Sequence, residues 1–342
     1  MGAAMAPATG KRPTTLTDVA RLAGVSIATA SKALNGRNQV RASTRERVMV
    51  AAEQLSFSPN ALARGLLAGR TGTVGLLTSD MEGRFSLPIL MGAEDAFGRG
   101  SVSVFLCDAR GDSFREQYHV KALLGRRVDG LIVVGSRTDA RPPLPGRLSV
   151  PVVYAYSPSL DDQDTSVISD NVEAGRTAVD HLLALGRSRI VHISGDRTYA
   201  AARDRAEGAT AALRAARLTP VGKKVHFGSW SESWGRSAIA SLLAAHPDID
   251  GVFAGSDQIA RGVLEVLREK GRAVPEDVAV VGFDNWAVLA TQARPQLTSM
   301  DMQLEQLGRR AAELLFSAME GGTHPGIEKI GCSLVIREST AG

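Results

Sequence analysis

Residues 16–35 read LTDVARLAGVSIATASKALN, and the apolar positions from Thr17 to Leu55 recur at helical spacing with breaks that leave three short helices. No strand pattern competes. The first helix is expected to start at Thr17 as its N-cap, to bury Val19, Ala20 and Ala23, and to end at Gly24, where a left-handed residue is easiest. Ser26 caps the second helix. The third is expected to open with Ser43 and Glu46 spaced as a capping box and to carry Val48, Ala52 and Leu55 on one face. Two helices joined by so tight a turn, with a third closing the core, form a helix-turn-helix pattern.

Charge follows the same division. The chain has 342 residues and a net charge of +4, but residues 1–70 hold ten Lys or Arg against three acids, while the remaining 272 hold 30 basic and 33 acidic groups. A cationic front on a slightly anionic body predicts a polyanion partner for the front alone. With 44% apolar and 22% charged residues the chain is of ordinary soluble composition. Its apolar runs, such as Leu131 to Val134, are too short to span a bilayer. The start lacks the pattern of a secretory signal, and Cys107 and Cys332 have no metal or disulfide spacing, so a reducing cytoplasm is expected and no metal or cofactor is.

Beyond Gly72 the texture changes to short β-rich runs alternating with amphipathic stretches. Strands are expected at Val74 to Thr78, Val102 to Cys107, Gly130 to Val134, Val152 to Tyr156, Ile190 to Ser194, Gly251 to Ala254, Val278 to Phe283 and Ser333 to Arg337. Helices are expected at Glu173 to Leu185, Ala202 to Ala216, Gln258 to Lys270 and Leu304 to Ala318. Such alternation implies parallel sheets with right-handed crossovers, and ligands at the carboxyl ends of the strands. The Pro-rich segment from Arg141 to Pro151 is expected to be a surface loop.

On the second helix Ala30, Ala33 and Leu34 suit the packed face, whereas Ile27, Ala28, Ser31, Lys32 and Asn35 fall on the opposite stripe. This slim face fits the major groove, where Lys32 could reach guanine acceptors and Ile27 or Ala28 a thymine methyl. Ser26, Thr29 and Asn35 could hold phosphates. On spacing alone, a solvated face of a small structural bundle is the competing reading.

The residue identities go further. Leu16 to Asn35, with the later SFSPNALARGLLAGRTGTVGLL, closely resembles the headpiece of the LacI family of bacterial transcriptional repressors. The resemblance implies base reading by Ile27, Ala28 and Lys32, with Thr17, Ser26, Thr29, Ser31 and Asn35 as further DNA contacts. It implies that the hinge after Pro59 and Asn60, Ala61 to Leu67, folds on DNA with Leu66 wedged into the minor groove. Gly65 should make that folding harder, since a helix-interior Gly costs roughly 1 kcal/mol relative to Ala. The organisation implied is a disordered tail (1–14), the headpiece (15–58), the hinge (59–71) and a two-lobed α/β domain like the periplasmic sugar-binding proteins (72–342). Lobe one is placed at about 72–168 and 300–328, and lobe two at about 169–299 and 329–342.

Family markers run through the second part: Ser169 to Gly195, ARDRAEG (Ala202 to Gly208), Phe253 to Leu267, VAVVGFDNW (Val278 to Trp286) and Pro295 through Ala311. Carried over position by position, they imply an effector site between the lobes. Arg205 donates to ligand hydroxyls or a carboxylate, Asp284 accepts from hydroxyls, and Trp230 stacks on a sugar face. Ser256 stands where many sugar-sensing relatives carry Asn, and Phe85 aligns with a pocket aromatic. Tyr156 replaces an acid of the lactose repressor, Met302 replaces a polar residue, and Gly83, Arg84, Phe85 and Ser86 replace Asn-Pro-Phe-Phe. A ligand other than a small galactoside is therefore expected. For each residue taken alone, a structural ion pair or a core aromatic is the alternative.

A DNA-binding repressor governed by a sugar-like effector is the leading function. The alternative is a sugar-binding receptor or carbohydrate-acting enzyme, but no GxSxG, HExxH, P-loop or GxGxxG motif is present. Reading two half-sites of a pseudo-palindrome calls for a homodimer. The chain ends soon after its last strand candidate, so a dimer rather than a tetramer is expected.

Overall fold

The computed structural model describes residues 14–34, 40–55, 57, 70–80, 84–98 and 102–341. The chain divides into two compact units, residues 1–72 and 73–342. Residues 1–13 of the expected tail, Asn35, and the hinge from Pro59 to Leu67 with Gly65 and Leu66 lie outside the described residues.

The first unit has three helices, α1 (Leu16–Ala23), α2 (Ile27–Leu34) and α3 (Ala42–Gln54). Their core is made of small side chains, Val19, Ala20, Ala23, Ala30, Ala33, Val48, Ala51 and Ala52, which lets three short helices approach closely. Gly24 at φ 64° ends α1 in the left-handed conformation that the sequence predicts. The N-cap expectations need correcting at two helices. Thr15, not Thr17, caps α1: Asp18 N donates to its Oγ1 at 3.4 Å, and Thr15 N donates back to Asp18 Oδ2 at 2.9 Å. Leu16 packs on the core, so the helix starts two residues earlier and Thr17 lies exposed in its first turn. Helix α3 begins at Ala42 after Arg41, which makes no side-chain cap. The Arg41 carbonyl takes the Thr44 and Arg45 amides at 3.0 Å each, so Ser43 and Glu46 fall inside the helix rather than capping it.

The second unit holds two six-stranded sheets. The first contains β1 (Thr73–Thr78), β2 (Ser103–Asp108), β3 (Gly130–Val134), β4 (Val152–Ala155), β5 (Thr165–Ser169) and β11 (Gly326–Ile330), in the order β11-β5-β4-β3-β1-β2 and all parallel. The second contains β6 (Ile190–Ser194), β7 (His226–Phe227), β8 (Gly251–Ala254), β9 (Ala279–Phe283), β10 (Thr298–Asp301) and β12 (Ser333–Val335), in the order β12-β10-β9-β8-β6-β7, with only β12 antiparallel. Strands β3, β6, β8 and β9 are buried at every residue, as continuous apolar runs covered on both faces require.

The chain crosses between lobes three times: after β5, after β10 and after β11. The crossings are tied together where Ser169 Oγ donates to the Met302 carbonyl at 3.0 Å and Asp170 N to the Ile330 carbonyl at 2.9 Å. Helices α4 (Ser86–Phe97), α5 (Ser113–Gly125), α6 (Asn171–Ala184), α7 (Ala200–Ala215), α8 (Glu232–Ala245), α9 (Asp257–Glu269), α10 (Ala287–Ala290) and α11 (Leu304–Met319) complete the unit. Three helix pairs share one device. Gly92 and Gly308 join α4 to α11, Gly175 and Gly208 join α6 to α7, and Gly235 and Gly262 join α8 to α9. At each of the six a Cβ would lie 1.8–2.2 Å from a backbone oxygen of the facing helix, so only glycine permits these contacts.

Candidate functional site

The outward face of α2 is as the spacing predicts. Ile27 is 49% exposed, Ala28 and Lys32 are exposed, Thr29 and Ser31 are half-buried, and Ala30 and Ala33 face the core. Ser26 does cap the helix: Thr29 N donates to its Oγ at 3.1 Å, and the two hydroxyls share a 2.8 Å bond. A narrow face with one cation between small apolar groups leaves room for base edges.

In the second unit a cavity of about 370 Å³ opens where the carboxyl ends of the two sheets face each other. From the first sheet, the segment after β1 supplies Arg84 and Phe85, the segment after β3 supplies Ser136, Arg137 and Thr138, and the segment after β4 supplies Tyr156. Phe85 and Tyr156 stack with ring centres 5.1 Å apart. Tyr156 sits at φ 71°, in the left-handed region costly for a bulky residue, and burial pushes its phenol pKa up.

From the second sheet come Tyr199, Arg205 on α7, Trp230, Gln258 on α9, Asp284 and Trp286. Arg205 is 2% exposed, and its guanidinium is held on several sides. Nε donates to Asn171 Oδ1 at 2.8 Å and Nη1 to the Gly255 carbonyl at 2.6 Å, while the Phe283 ring centre lies 3.5 Å from Cζ. Asp284 bridges the lobes: its Oδ2 accepts from Arg84 Nη2 at 2.5 Å, and its Oδ1 lies 3.6 Å from Arg205 Nη1. Burial raises the Asp284 pKa, and the charges of Arg84 and Arg205 pull it back. Arg84 is sandwiched between the rings of Phe85 and Trp286, at 4.8 and 4.7 Å. Beyond this ion pair lies a second cavity, of about 490 Å³, lined in part by Asn285, Asp301, Gln303 and Glu305.

Asp257 lies beneath this wall. It accepts from Ser299 Oγ at 2.6 Å and from the Trp286 amide at 2.7 Å, fixing the turn that carries Asp284 at φ 100° and Asn285 at φ 48°. Its pKa is pushed up to about 7, by burial first and by the Asp284 charge second. On the same floor His192 stacks on Phe253 at 4.4 Å, and burial pushes its pKa down to about 3.

The structure brings Phe85, Tyr156, Arg205, Trp230 and Asp284 to one cavity. Ser256 does not line it. Its hydroxyl is buried and caps α9 by accepting the Ile259 amide at 3.3 Å; a serine oxygen this close to its own backbone folds onto the helix end. Gln258 reaches the cavity instead. Met302 is buried, with Sδ 3.6 Å from Arg205 Nη2. Sequence reasoning noted Arg84 only as a departure from the family pattern and missed Ser136, Arg137, Thr138, Tyr199, Gln258 and Trp286. The available signal was position: each follows the carboxyl end of a strand, Gln258 as the second residue of the helix after β8.

Among the described residues no helix is long and apolar enough to cross a membrane, and no group of three or more His, Cys, Asp or Glu could hold a metal ion.

Comparison with known proteins places these two sites in context. Residues 15–60 match the family model for bacterial regulatory proteins, lacI family, and residues 179–340 match that for a periplasmic binding protein-like domain. The HTH-type transcriptional regulator CelR of Thermobifida fusca is 35% identical over 338 residues, covering 96% of this chain and 99% of that protein. A solved complex of the transcriptional regulator CelR with cellobiose superposes with a TM-score of 0.66 at 34% identity, over 95% of this chain and 99% of that one. The lac repressor dimer bound to operator and the anti-inducer ONPF gives a TM-score of 0.74 at 26% identity, over 97% and 100%.

Proposed function

The chain belongs to the lacI family of bacterial regulatory proteins, and from that premise we propose that it is a sequence-specific transcriptional repressor released or engaged by a saccharide bound between its lobes. The carrying observation is the cavity of about 370 Å³, where one carboxylate and three guanidinium groups stand among aromatic rings. Its volume suits a small ligand. Vicinal hydroxyls need forked donors and a carboxylate acceptor, while the apolar face of a sugar ring packs on an aromatic. Similarity to a regulator solved with cellobiose supports the same ligand class.

The DNA side rests on α2, with Ile27, Ala28 and Lys32 as base readers and Thr17, Ser26, Thr29 and Ser31 as supporting contacts; the parts assigned to Asn35 and Leu66 rest on the sequence alone. The working form is a homodimer in the cytoplasm, since one α2 reads few base pairs and two-fold symmetry doubles the site. Turnover of the ligand is not expected. Asp284 is engaged by two guanidinium groups and Asp257 by Ser299 and the Trp286 amide, so neither is free to act as a general acid.

A thermal-shift screen against mono- and oligosaccharides, followed by an operator-binding assay with each hit, tests the reading. A hit should raise the melting temperature, change operator affinity and be recovered unaltered. Consumption of the sugar, or stabilisation with no effect on DNA, would refute it. By linkage, operator must change sugar affinity by the same factor.

A further inference from the structure

The cavity wall is unbalanced in charge. Of its lining residues Arg84, Arg137 and Arg205 are cationic and Asp284 alone is anionic. Asp284 already serves both Arg84 and Arg205. Arg137 makes no hydrogen bond or ion pair among the described residues; its guanidinium rests 4.1 Å from the centre of the Tyr199 ring and is open to solvent. Two acids lie outside the wall: Asp196, close enough to Arg137 for their charges to interact, and Asp139, whose Oδ2 is buried without a partner. Their Oδ1 atoms are turned to other partners, that of Asp196 to Thr198 N and Oγ1 and that of Asp139 to the Ala200 amide and Arg203, and neither acid lines the cavity.

Hydrogen-bonding capacity is unbalanced in the same direction. Arg84 Nε, Thr138 Oγ1 and Trp230 Nε1 are buried, belong to lining residues and have no partner. Two of these can only donate. Buried donors without partners are costly, so a ligand that supplies acceptors gains most from them. A neutral polyol brings a proton with each hydroxyl and leaves the positive wall uncompensated; an anionic group brings acceptors alone, and charge-assisted bonds are the stronger kind. Position agrees as well: Arg84 follows β1, Arg137 and Thr138 follow β3, and β1 and β3 are adjacent strands. Arg84 Nε, Thr138 Oγ1 and the open Arg137 guanidinium thus come from one lobe, whereas Trp230 Nε1 and the already engaged Arg205 belong to the other.

We propose that the effector is an anionic saccharide, a sugar bearing a carboxylate or a phosphate, with its charged group on the Arg84, Arg137 and Thr138 side and its ring against Trp230. This deepens the reading of the cavity as a saccharide site and rests on it.

The test uses the full-length protein and calorimetric titration, with tryptophan fluorescence as a second readout from Trp230 and Trp286. Matched probes are glucose, glucuronate and glucose 6-phosphate, then cellobiose and cellobiouronate. An acidic member should bind roughly ten-fold or more tightly than its neutral partner, about 1.4 kcal/mol. The larger gain, with glucuronate or with glucose 6-phosphate, identifies carboxylate or phosphate as the source. Arg137→Gln, at an exposed position outside the core, should bring the acidic and neutral members of a pair close together. Neutral sugars binding as tightly as acidic ones, or an acidic preference that survives Arg137→Gln, overturns the inference and leaves the saccharide site standing. Failure of every sugar, neutral and acidic, to bind overturns both.

Discussion

The outward face of α2 and the wall of the interlobe cavity are both binding surfaces, but they hold their functional groups in opposite states. On α2, Lys32 is exposed with no ion pair among the described residues, and Ile27 is half in solvent. In the cavity, the Arg205 and Asp284 side chains are each 3% exposed and are bonded to each other and to their surroundings. DNA can add contacts to Lys32 and Ile27 without breaking any. A ligand at Asp284 must exchange contacts that the protein already makes with itself, so substitutions in the cavity act on the fold and on binding, whereas those at Lys32 and Ile27 act on binding alone.

The strongest way to break that contrast is Arg205→Met. It leaves Asp284 buried beside a single cation and removes the donors to Asn171 and to the Gly255 carbonyl. Loss of one partner of a buried pair costs about 3–5 kcal/mol, which chemical denaturation should show together with loss of sugar response. A loss below about 1 kcal/mol would mean that the pair behaves like a surface one.

Lys32→Ala comes next. It should cost operator binding about 1–3 kcal/mol with the melting temperature unmoved. Equal losses on operator and random DNA in a titration would show that Lys32 only meets phosphates.

Two buried titrating groups under the cavity give a third measurement. Folded Asp257 keeps its proton up to about 7 against an ordinary 3.8, so its contribution to stability is complete below 3.8 and fades as pH rises through 7. Folded His192 stays neutral down to about 3 against 6.5, so its contribution is complete above 6.5 and fades as pH falls through 3. The two slopes oppose each other from pH 3.8 to 6.5, each bounded by about 1.4 kcal/mol per pH unit. In that window, stability should rise with pH in Asp257→Asn relative to wild type and fall with pH in His192→Gln. Two variants that both keep the wild-type profile would show that neither group is perturbed.

The smallest effect is Thr15→Ala, which removes the α1 cap for about 1 kcal/mol. It should lower the melting temperature of the headpiece unit and leave sugar affinity as it was. Thr17→Ala should do less to stability, since Thr17 caps nothing.

Legibility in the sequence followed the same divide. The α2 stripe is set by local periodicity, and the exposed and buried positions fall where a 3.6-residue repeat puts them. Strands β3, β6 and β8 coincide with their apolar runs. Strands β5 (TSVIS), β7 (HF), β10 (TSMD) and β11 (GIEKI) carried no such signal. Thr298 and Ser299 of β10 are buried but bonded, with Ser299 giving its hydroxyl to Asp257, and burial by hydrogen bonding has no hydropathy signature. The cavity draws on segments scattered from Arg84 to Trp286, so no spacing rule could assemble it. Resemblance located Phe85, Tyr156, Arg205, Trp230 and Asp284. It misplaced Ser256, whose oxygen the helix end takes, and it was silent on Arg137 and Thr138.

The paired glycines also decide where the sensor bends. With α4 locked to α11, α6 to α7 and α8 to α9 by backbone contacts that tolerate no Cβ, the helices cannot shear past one another. Deformation is left to the three crossings, and these are themselves laced through Ser169 to Met302 and Asp170 to Ile330. Mechanically this is a torsion joint: three short cords between two stiff plates, yielding to twist and resisting slip. A ligand that pulls on both walls of the cavity is therefore expected to change the angle between the lobes before it slides helices within either one.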